Sequence, residues 1–263
     1  FLTFYLFEVY LIFSDSTFHK AKIYKKETGK IFDKRSKLEI YNDLKKSEKD
    51  ITITSFPFKY LNKSNTNFLP LSGKSYSKTI FCNENGYYSI YQSDRYGFNN
   101  PDEEWDKKEL EYLLIGDSFV HGACVNRPND ISSKLRKISK KSAISLGYGS
   151  NGPILEYASL REFFPNKVKN VLWFYYEGND VKDLSDELRN KFLKKYLQNI
   201  NFSQNLKKKQ DLVDSLSIEI IDFEKKKAEQ NLKKSLNQKK IYSFLKLKNL
   251  RSRLNILLPS KRR

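Results

Sequence analysis

Three short apolar runs separated by helical patterns constrain the fold of this chain more than any other feature. The apolar runs lie at 111–115, 143–146 and 168–176. Residues with helical spacing fill the two intervals, at 128–140 and 153–164. Strands that alternate with helices predict a parallel sheet with helices on its faces, and the third run is apolar enough to predict a strand buried on both faces.

Each apolar run ends in a polar, glycine-containing turn, where the carboxyl ends of parallel strands form binding sites. The turns read GDSF at 116–119, GYGSNG at 147–152 and GND at 178–180. A serine on a tight strand-to-helix turn exposes its hydroxyl beside the N–H groups of a helix start. We therefore predict Ser118 as a nucleophile for acyl transfer. Backbone N–H groups and the side-chain amide of Asn179 would hold the oxyanion.

In this order and spacing, the three turns resemble the first three blocks of the SGNH (GDSL-type) hydrolase superfamily. The resemblance implies an α/β fold, a flavodoxin-like three-layer α/β/α sandwich whose parallel sheet is incomplete over 111–181. It implies Ser118 as the nucleophile, with the oxyanion held by the Ser118 N–H, an N–H of the second block and the Asn179 side chain. The second-block glycine of the family aligns with Ser150 through the following Asn-Gly-Pro, and Gly149 is the alternative.

Two acidic residues beside these blocks are expected to support the site. Asp117 precedes the nucleophile and is predicted to brace its turn, and Asp180 is predicted to hold Asn179 or the adjoining loop. The chain has two histidines and two cysteines, which argues against a zinc cluster, and we expect neither a metal nor a cofactor. Cys82 and Cys124 can form a disulfide if the domain lies outside the cytoplasm.

The part of the sequence that resembles the family contains no residue that matches the family's general base. The family's base is a histidine in a late Asp-x-x-His block, and no histidine follows His121 in this sequence. One interpretation is that the sequence is a fragment that ends before this block, which agrees with the absence of methionine. Such a fragment would be inactive by itself. The other is a non-catalytic relative that only binds. His121 lies three residues after Ser118, and we predict that it packs rather than replaces the base.

The segment before residue 111 is expected to contain two parts. Residues 1–15 are apolar apart from a few positions but shorter than the roughly 20 residues of a membrane-spanning helix. We expect them to form part of a transmembrane anchor, with a buried core helix or a signal-peptide core as alternatives. Residues 16–110 are predicted to be a small α+β lead-in region with a helix within 33–46, a strand at 51–56 and a hairpin around 83–86. No chemistry is assigned to this region.

The net charge of +18 is concentrated in residues 182–263, which carry 22 basic and 9 acidic side chains. These residues are predicted to form a Lys-rich helical insertion or arm. The segment that bears the blocks has a net charge of only +2. Because the basic residues are 39 lysines and 10 arginines, and arginine is the usual reader of phosphates and base edges, we do not expect nucleic acid as a partner.

The sequence therefore predicts a serine esterase of SGNH type that hydrolyses an acyl or acetyl ester. The resemblance implies a small-molecule or saccharide substrate, with a cell-envelope saccharide as the expected class. It also implies a membrane-anchored protein with an extracytoplasmic catalytic domain. Two alternatives remain open: an acyltransferase on the same scaffold, and a non-catalytic binding module that uses the basic arm.

Overall fold

The computed structural model describes residues 2–14, 17–61, 68–234 and 244–251. The chain divides into two compact units. One unit comprises Phe1–Arg35, Asn85–Tyr87 and Glu224–Arg263, and the other comprises Ser36–Glu84 and Tyr88–Phe223. The second unit contains all three predicted blocks.

The first unit begins with two helices, α1 (Leu2–Ser14) and α2 (Thr17–Thr28). Much of the apolar surface of α1 is exposed. For example, Leu2 is 75% exposed, and Phe13 is 69% exposed. Within the described residues, no helix combines the length and apolar character needed to cross a bilayer. The segment expected to form part of a transmembrane anchor contains a 13-residue helix.

The second unit contains a small mixed sheet built from the lead-in region. Its elements are α3 (Lys37–Leu44), β1 (Ile51–Ile53), β2 (Lys78–Ile80) and β3 (Ile90–Gln92). Strand β1 pairs with β2 in parallel, and β2 pairs with β3 in antiparallel orientation. Ser36 and Glu39 cap α3 reciprocally, which satisfies N–H groups at the helix start. The predicted helix and hairpin are confirmed, and the strand predicted at 51–56 is shorter, spanning Ile51–Ile53.

The second sheet of this unit is parallel, as predicted. Its strands are β4 (Leu110–Ile115), β5 (Ala143–Ser145) and β6 (Val168–Trp173), in the order β5-β4-β6. The helices that follow these strands are α4 (Ser118–His121), α5 (Ile131–Ser139), α6 (Pro153–Phe163) and α7 (Asp180–Glu187). The fold class is therefore mixed α/β with a parallel sheet.

Helices cover both faces of the central strand β4. Leu113 is fully buried in a core that includes Leu155 of α6, whereas Leu114 is fully buried in a separate cluster with Val120 of α4. Ile131 of α5 packs against the second cluster. Successive side chains of a strand point to opposite faces, so β4 joins the two cores.

The prediction that the third strand is buried on both faces is wrong. Val171 is 43% exposed and Trp173 is 47% exposed in β6, and Phe174, Tyr175 and Tyr176 beyond it are also exposed. The reason is topological. Strand β6 pairs with β4 along one edge, and no described strand pairs with its other edge.

The segment after 181 contributes to the main core. Elements α8 (Lys195–Gln198) and α9 (Gln210–Lys234) lie in this segment. Leu193, Tyr196 and Leu206 are fully buried in the same core as Leu113. The parts of the predicted basic arm at 235–243 and 252–263 lie outside the described residues.

A buried carboxylate on α6 holds this segment against that helix. Glu162 accepts hydrogen bonds from the Tyr196 hydroxyl and the Gln204 N–H at 2.6 Å each. It also accepts from the Ser203 hydroxyl and the Leu206 N–H at 3.0 Å each. Four donors therefore depend on one side chain that is 7% exposed.

Replacing Glu162 should strongly destabilise the fold. We expect Glu162→Ala to lower the free energy of unfolding by about 3 kcal/mol or more, because it leaves several buried donors without an acceptor. Urea denaturation followed by circular dichroism measures this loss. The matched control is Glu103→Ala at an exposed position, expected to change stability by less than about 0.5 kcal/mol. Equal stabilities for the two variants would contradict this structural role of Glu162.

Candidate active site

The three predicted blocks meet at one cleft. Its volume is about 450 Å³, and its lining includes Asp117, Ser118, Gly149, Ser150 and Asn179. The structure therefore brings together the residues that the sequence singled out at three separate strand ends.

Ser118 is the first residue of α4, immediately after the turn that ends β4. Asp117 caps the helix, because its Oδ1 accepts the Phe119 N–H at 2.9 Å. The Ser118 hydroxyl donates to Asp117 Oδ2 at 3.5 Å, a long hydrogen bond. The N–H of a first helical residue has no intrahelical acceptor, so the Ser118 N–H is available to a ligand. Asp117 thus braces the turn, as predicted for it.

The second block packs tightly against α4 and the lead-in region. A Cβ atom at Gly147 would lie 2.7 Å from the backbone nitrogen of His121, and one at Gly149 would lie 2.6 Å from a ring carbon of Phe56. Both contacts exclude a side chain. Ser150 has φ +63°, a left-handed conformation that favours glycine. This conformation agrees with the alignment of Ser150 to the family's glycine.

Hydrogen bonding distinguishes the two candidate donors of the second block. The Gly149 N–H already donates to His121 Nδ1 at 3.1 Å. The Ser150 N–H donates to no acceptor among the described residues. Of the two alternatives, Ser150 is therefore the residue whose N–H is free to bind a ligand.

The third block is held by two carboxylates of α7. Asn179 Nδ2 donates to Asp183 Oδ2 at 2.9 Å, which uses one of its two hydrogens. Asp180 Oδ2 accepts the Tyr176 N–H at 2.6 Å, and the Asp180 N–H returns a bond to the Tyr176 carbonyl at 3.1 Å. Asp180 therefore holds the adjoining loop.

The lead-in region forms one wall of the cleft, which the sequence patterns did not indicate. Phe56, Phe58 and Phe81 line the cleft together with Cys82 and Glu84. Cys82 forms a disulfide with Cys124, which lies three residues beyond α4. The wall is therefore linked covalently to the segment that carries Ser118.

Two buried glutamates behind the cleft were also missed. Glu156 of α6 accepts the Trp173 Nε1–H at 2.6 Å, and burial raises the pKa of Glu156 to about 8. Glu187 of α7 accepts the N–H groups of Gly152 at 2.7 Å and Ile154 at 2.8 Å. Burial raises the pKa of Glu187 to about 7. Glu187 therefore joins α7 to the second block, and Glu156 joins α6 to β6. From helical periodicity alone, both positions look like ordinary polar residues on a helix surface. Only their burial in the structure shows that they are internal hydrogen-bond acceptors.

His121 is buried, and the lining of the cleft contains no histidine. Burial lowers the pKa of His121 to about 3, so the ring is neutral. No group of three or more His, Cys, Asp or Glu side chains in the described part of the chain is arranged to hold a metal ion.

Comparisons of the chain with protein-family models, with curated proteins and with solved structures found no match. Fold and site together define a mixed α/β protein with a serine at the end of the central parallel strand. The three turns whose sequence resembles the SGNH blocks all contribute residues to the lining of this cleft.

The buried Glu156 should make stability depend on pH. An unfolded glutamate ionises near pH 4.5, whereas the folded Glu156 stays protonated until about pH 8. We therefore expect the free energy of unfolding to fall as pH rises between these values, by on the order of 4 kcal/mol from this group. Glu156→Gln should make the decline shallower, measured by urea denaturation from pH 5 to pH 8, while the buried Glu187 and Asp94, whose pKa values are also raised, keep the remaining decline. The exposed control Glu103→Gln should keep the wild-type slope, and an unchanged slope in Glu156→Gln would refute the assignment.

Proposed function

We propose that the chain carries the nucleophile and oxyanion hole of a serine esterase of SGNH type. The observation that supports this proposal is that Ser118, Ser150 and Asn179 line one cleft although they come from three separate turns. Each supplies a group that acyl transfer requires.

In the proposed reaction, Ser118 Oγ attacks the ester carbonyl carbon while a general base takes the hydroxyl proton. The resulting oxyanion accepts hydrogen bonds from the Ser118 N–H, the Ser150 N–H and Asn179 Nδ2. The tetrahedral intermediate expels the alcohol, and water then hydrolyses the acyl-enzyme. The family resemblance assigns the base to a histidine of a late Asp-x-x-His block, and no histidine follows His121 in residues 1–263, so we expect no turnover from these residues alone.

We also propose that the parallel sheet belongs to a flavodoxin-like α/β/α sandwich. The strand order β5-β4-β6 places the first strand between the second and the third, as in the doubly wound order 2-1-3-4-5. The exposed apolar side chains of β6 support further strands on its open edge, because an unpaired apolar edge is unfavourable in water.

The proposed substrate is an acyl or acetyl ester of a cell-envelope saccharide. The wall formed by Phe56, Phe58 and Phe81 offers apolar contact to an acyl group or to the carbon face of a sugar ring. Lys182, Asp183 and Glu84 line the same cleft and can bind hydroxyl groups. A cleft of both characters suits an ester that joins an apolar part to a polar one.

We propose an extracytoplasmic location at a membrane surface. The Cys82–Cys124 disulfide is typical of oxidising compartments. The exposed apolar side chains of α1 are followed by the lysines of α2, a pairing that suits acyl chains and anionic headgroups.

The esterase proposal predicts the effects of two substitutions in the full-length protein. Ser118→Ala should abolish both fluorophosphonate labelling and hydrolysis of p-nitrophenyl acetate. Asn179→Ala should lower kcat by about 10²–10³-fold, the usual cost of losing one oxyanion donor. Asn129→Ala, at an exposed position outside the cleft lining, should keep wild-type kcat. The proposal would be contradicted by a wild-type protein that is not labelled, or by equal labelling of Ser118→Ala.

The membrane proposal predicts that residues 1–263 float with vesicles of phosphatidylcholine and phosphatidylglycerol. The double variant Leu6→Glu with Phe13→Glu should abolish flotation, because it places two charges on the exposed apolar surface of α1. Ile138→Glu is the matched control, since Ile138 is 80% exposed on α5. Flotation that survives the double variant would exclude α1 as the binding surface.

A further inference from the structure

We propose that His121 is a positioning residue that holds the second-block turn, so that the Ser150 N–H is presented to the cleft. This inference rests on the proposed function and assigns a role to a histidine that lies outside the cleft lining. In this inference, α4 supports both the first-block serine and the second-block turn. The helix that begins with Ser118 ends with the side chain that fixes the second oxyanion donor.

The hydrogen bonds of His121 define its protonation state. The Gly149 N–H donates to Nδ1 at 3.1 Å, so Nδ1 carries a lone pair and no proton. The proton of the neutral ring is then on Nε2, which donates to the Tyr91 hydroxyl at 3.0 Å. Both ring nitrogens are therefore used, and neither is free to take a proton from Ser118.

The packing around His121 prevents the ring from turning. The ring lies between Phe81 and Tyr148, with centroid distances of 4.2 Å and 4.3 Å. The His121 carbonyl accepts the Asn99 side-chain amide at 3.0 Å, so the backbone of this residue is fixed too. At 1% exposure, the side chain has no access to water.

The consequence falls on Ser150, the next residue after Gly149. A buried N–H without an acceptor is unfavourable, so the turn would rearrange if His121 could not accept from Gly149. Ser150 depends on this support because it adopts a left-handed conformation that a non-glycine residue disfavours. An oxyanion donor is effective only when it lies about 2.7–3.1 Å from the developing charge, so a small shift of the turn weakens catalysis.

Two substitutions separate the hydrogen bond from the packing. In His121→Asn, the side-chain oxygen occupies a place close to that of Nδ1 and can accept from Gly149. In His121→Leu, an apolar side chain fills part of the same space without an acceptor. Both variants lose the aromatic stacking, so a difference between them reports on the acceptor.

We expect the full-length His121→Leu variant to lose about 10–100-fold in kcat with KM changed less than about threefold, because only the transition state uses the oxyanion donor. His121→Asn should retain kcat to within about fivefold of wild type. Thermal unfolding and circular dichroism show whether each variant is folded. If the two variants lose kcat equally, or if His121→Leu keeps wild-type kcat, the positioning role is wrong.

A second measurement does not depend on catalysis. In ¹⁵N-labelled residues 1–263, His121 should show the Nε2–H tautomer throughout pH 5–8. Amide exchange at Gly149 should be at least about tenfold faster in His121→Leu than in His121→Asn or wild type. Fast exchange at Gly149 in wild type would overturn the inference by itself. An inactive full-length wild type with a protected Gly149 would instead overturn the proposed function and confirm only the hydrogen bond.

Discussion

The central position of β4 determines where the candidate site lies. Because β4 pairs with β5 on one side and β6 on the other, the turns that follow all three strands open at the same end of the sheet. The strand can occupy this position because its side chains alternate between two apolar cores, with Leu113 on one face and Leu114 on the other. The meeting of Ser118, Ser150 and Asn179 thus follows from strand order and from burial on both faces. No direct contact between these three residues is needed to bring them together.

Buried acidic groups hold the turns in place once the sheet has brought them together. Asp94, which is fully buried, accepts from the N–H groups of Tyr96 and Phe98, from Asn100 Nδ2 and from Trp105 Nε1. Asn100 also exchanges two hydrogen bonds with the backbone of Ser145 in β5. Burial raises the pKa of Asp94 to about 6, although each of these hydrogen bonds favours its charged form. Glu156 and Glu187 play the same part nearer the cleft. A carboxyl group is costly to bury, and at Asp94 four hydrogen-bond donors offset part of that cost.

The sequence predicted the parts of the fold and site that depend on local pattern. The alternation of apolar runs and helical spacing predicted β4, β5 and β6 with their helices, and the turn residues predicted Ser118 and Asn179. What could not be predicted depends on residues distant in the sequence. Exposure of β6 depends on which strands pair with it, and periodicity carries no information about pairing. The choice between Gly149 and Ser150 required the bond from Gly149 to His121, which joins residues 28 positions apart. The burial of Leu193 and Leu206 likewise arises from contacts with α6 that no local pattern encodes.

The lead-in region lines the candidate site, although its sequence alone indicated no chemistry. Its contribution is a surface rather than a reactive group. Phe56, Phe58 and Phe81 face the cleft, and Tyr91 completes the hydrogen bonds of His121. Phe81 serves both purposes, because its ring packs at a tilt against His121 while it lines the cleft. The disulfide from Cys82 to Cys124 fastens this wall to the segment after α4. His121 therefore contacts both the wall of the cleft, through the ring of Phe81, and the second-block turn, through the Gly149 N–H.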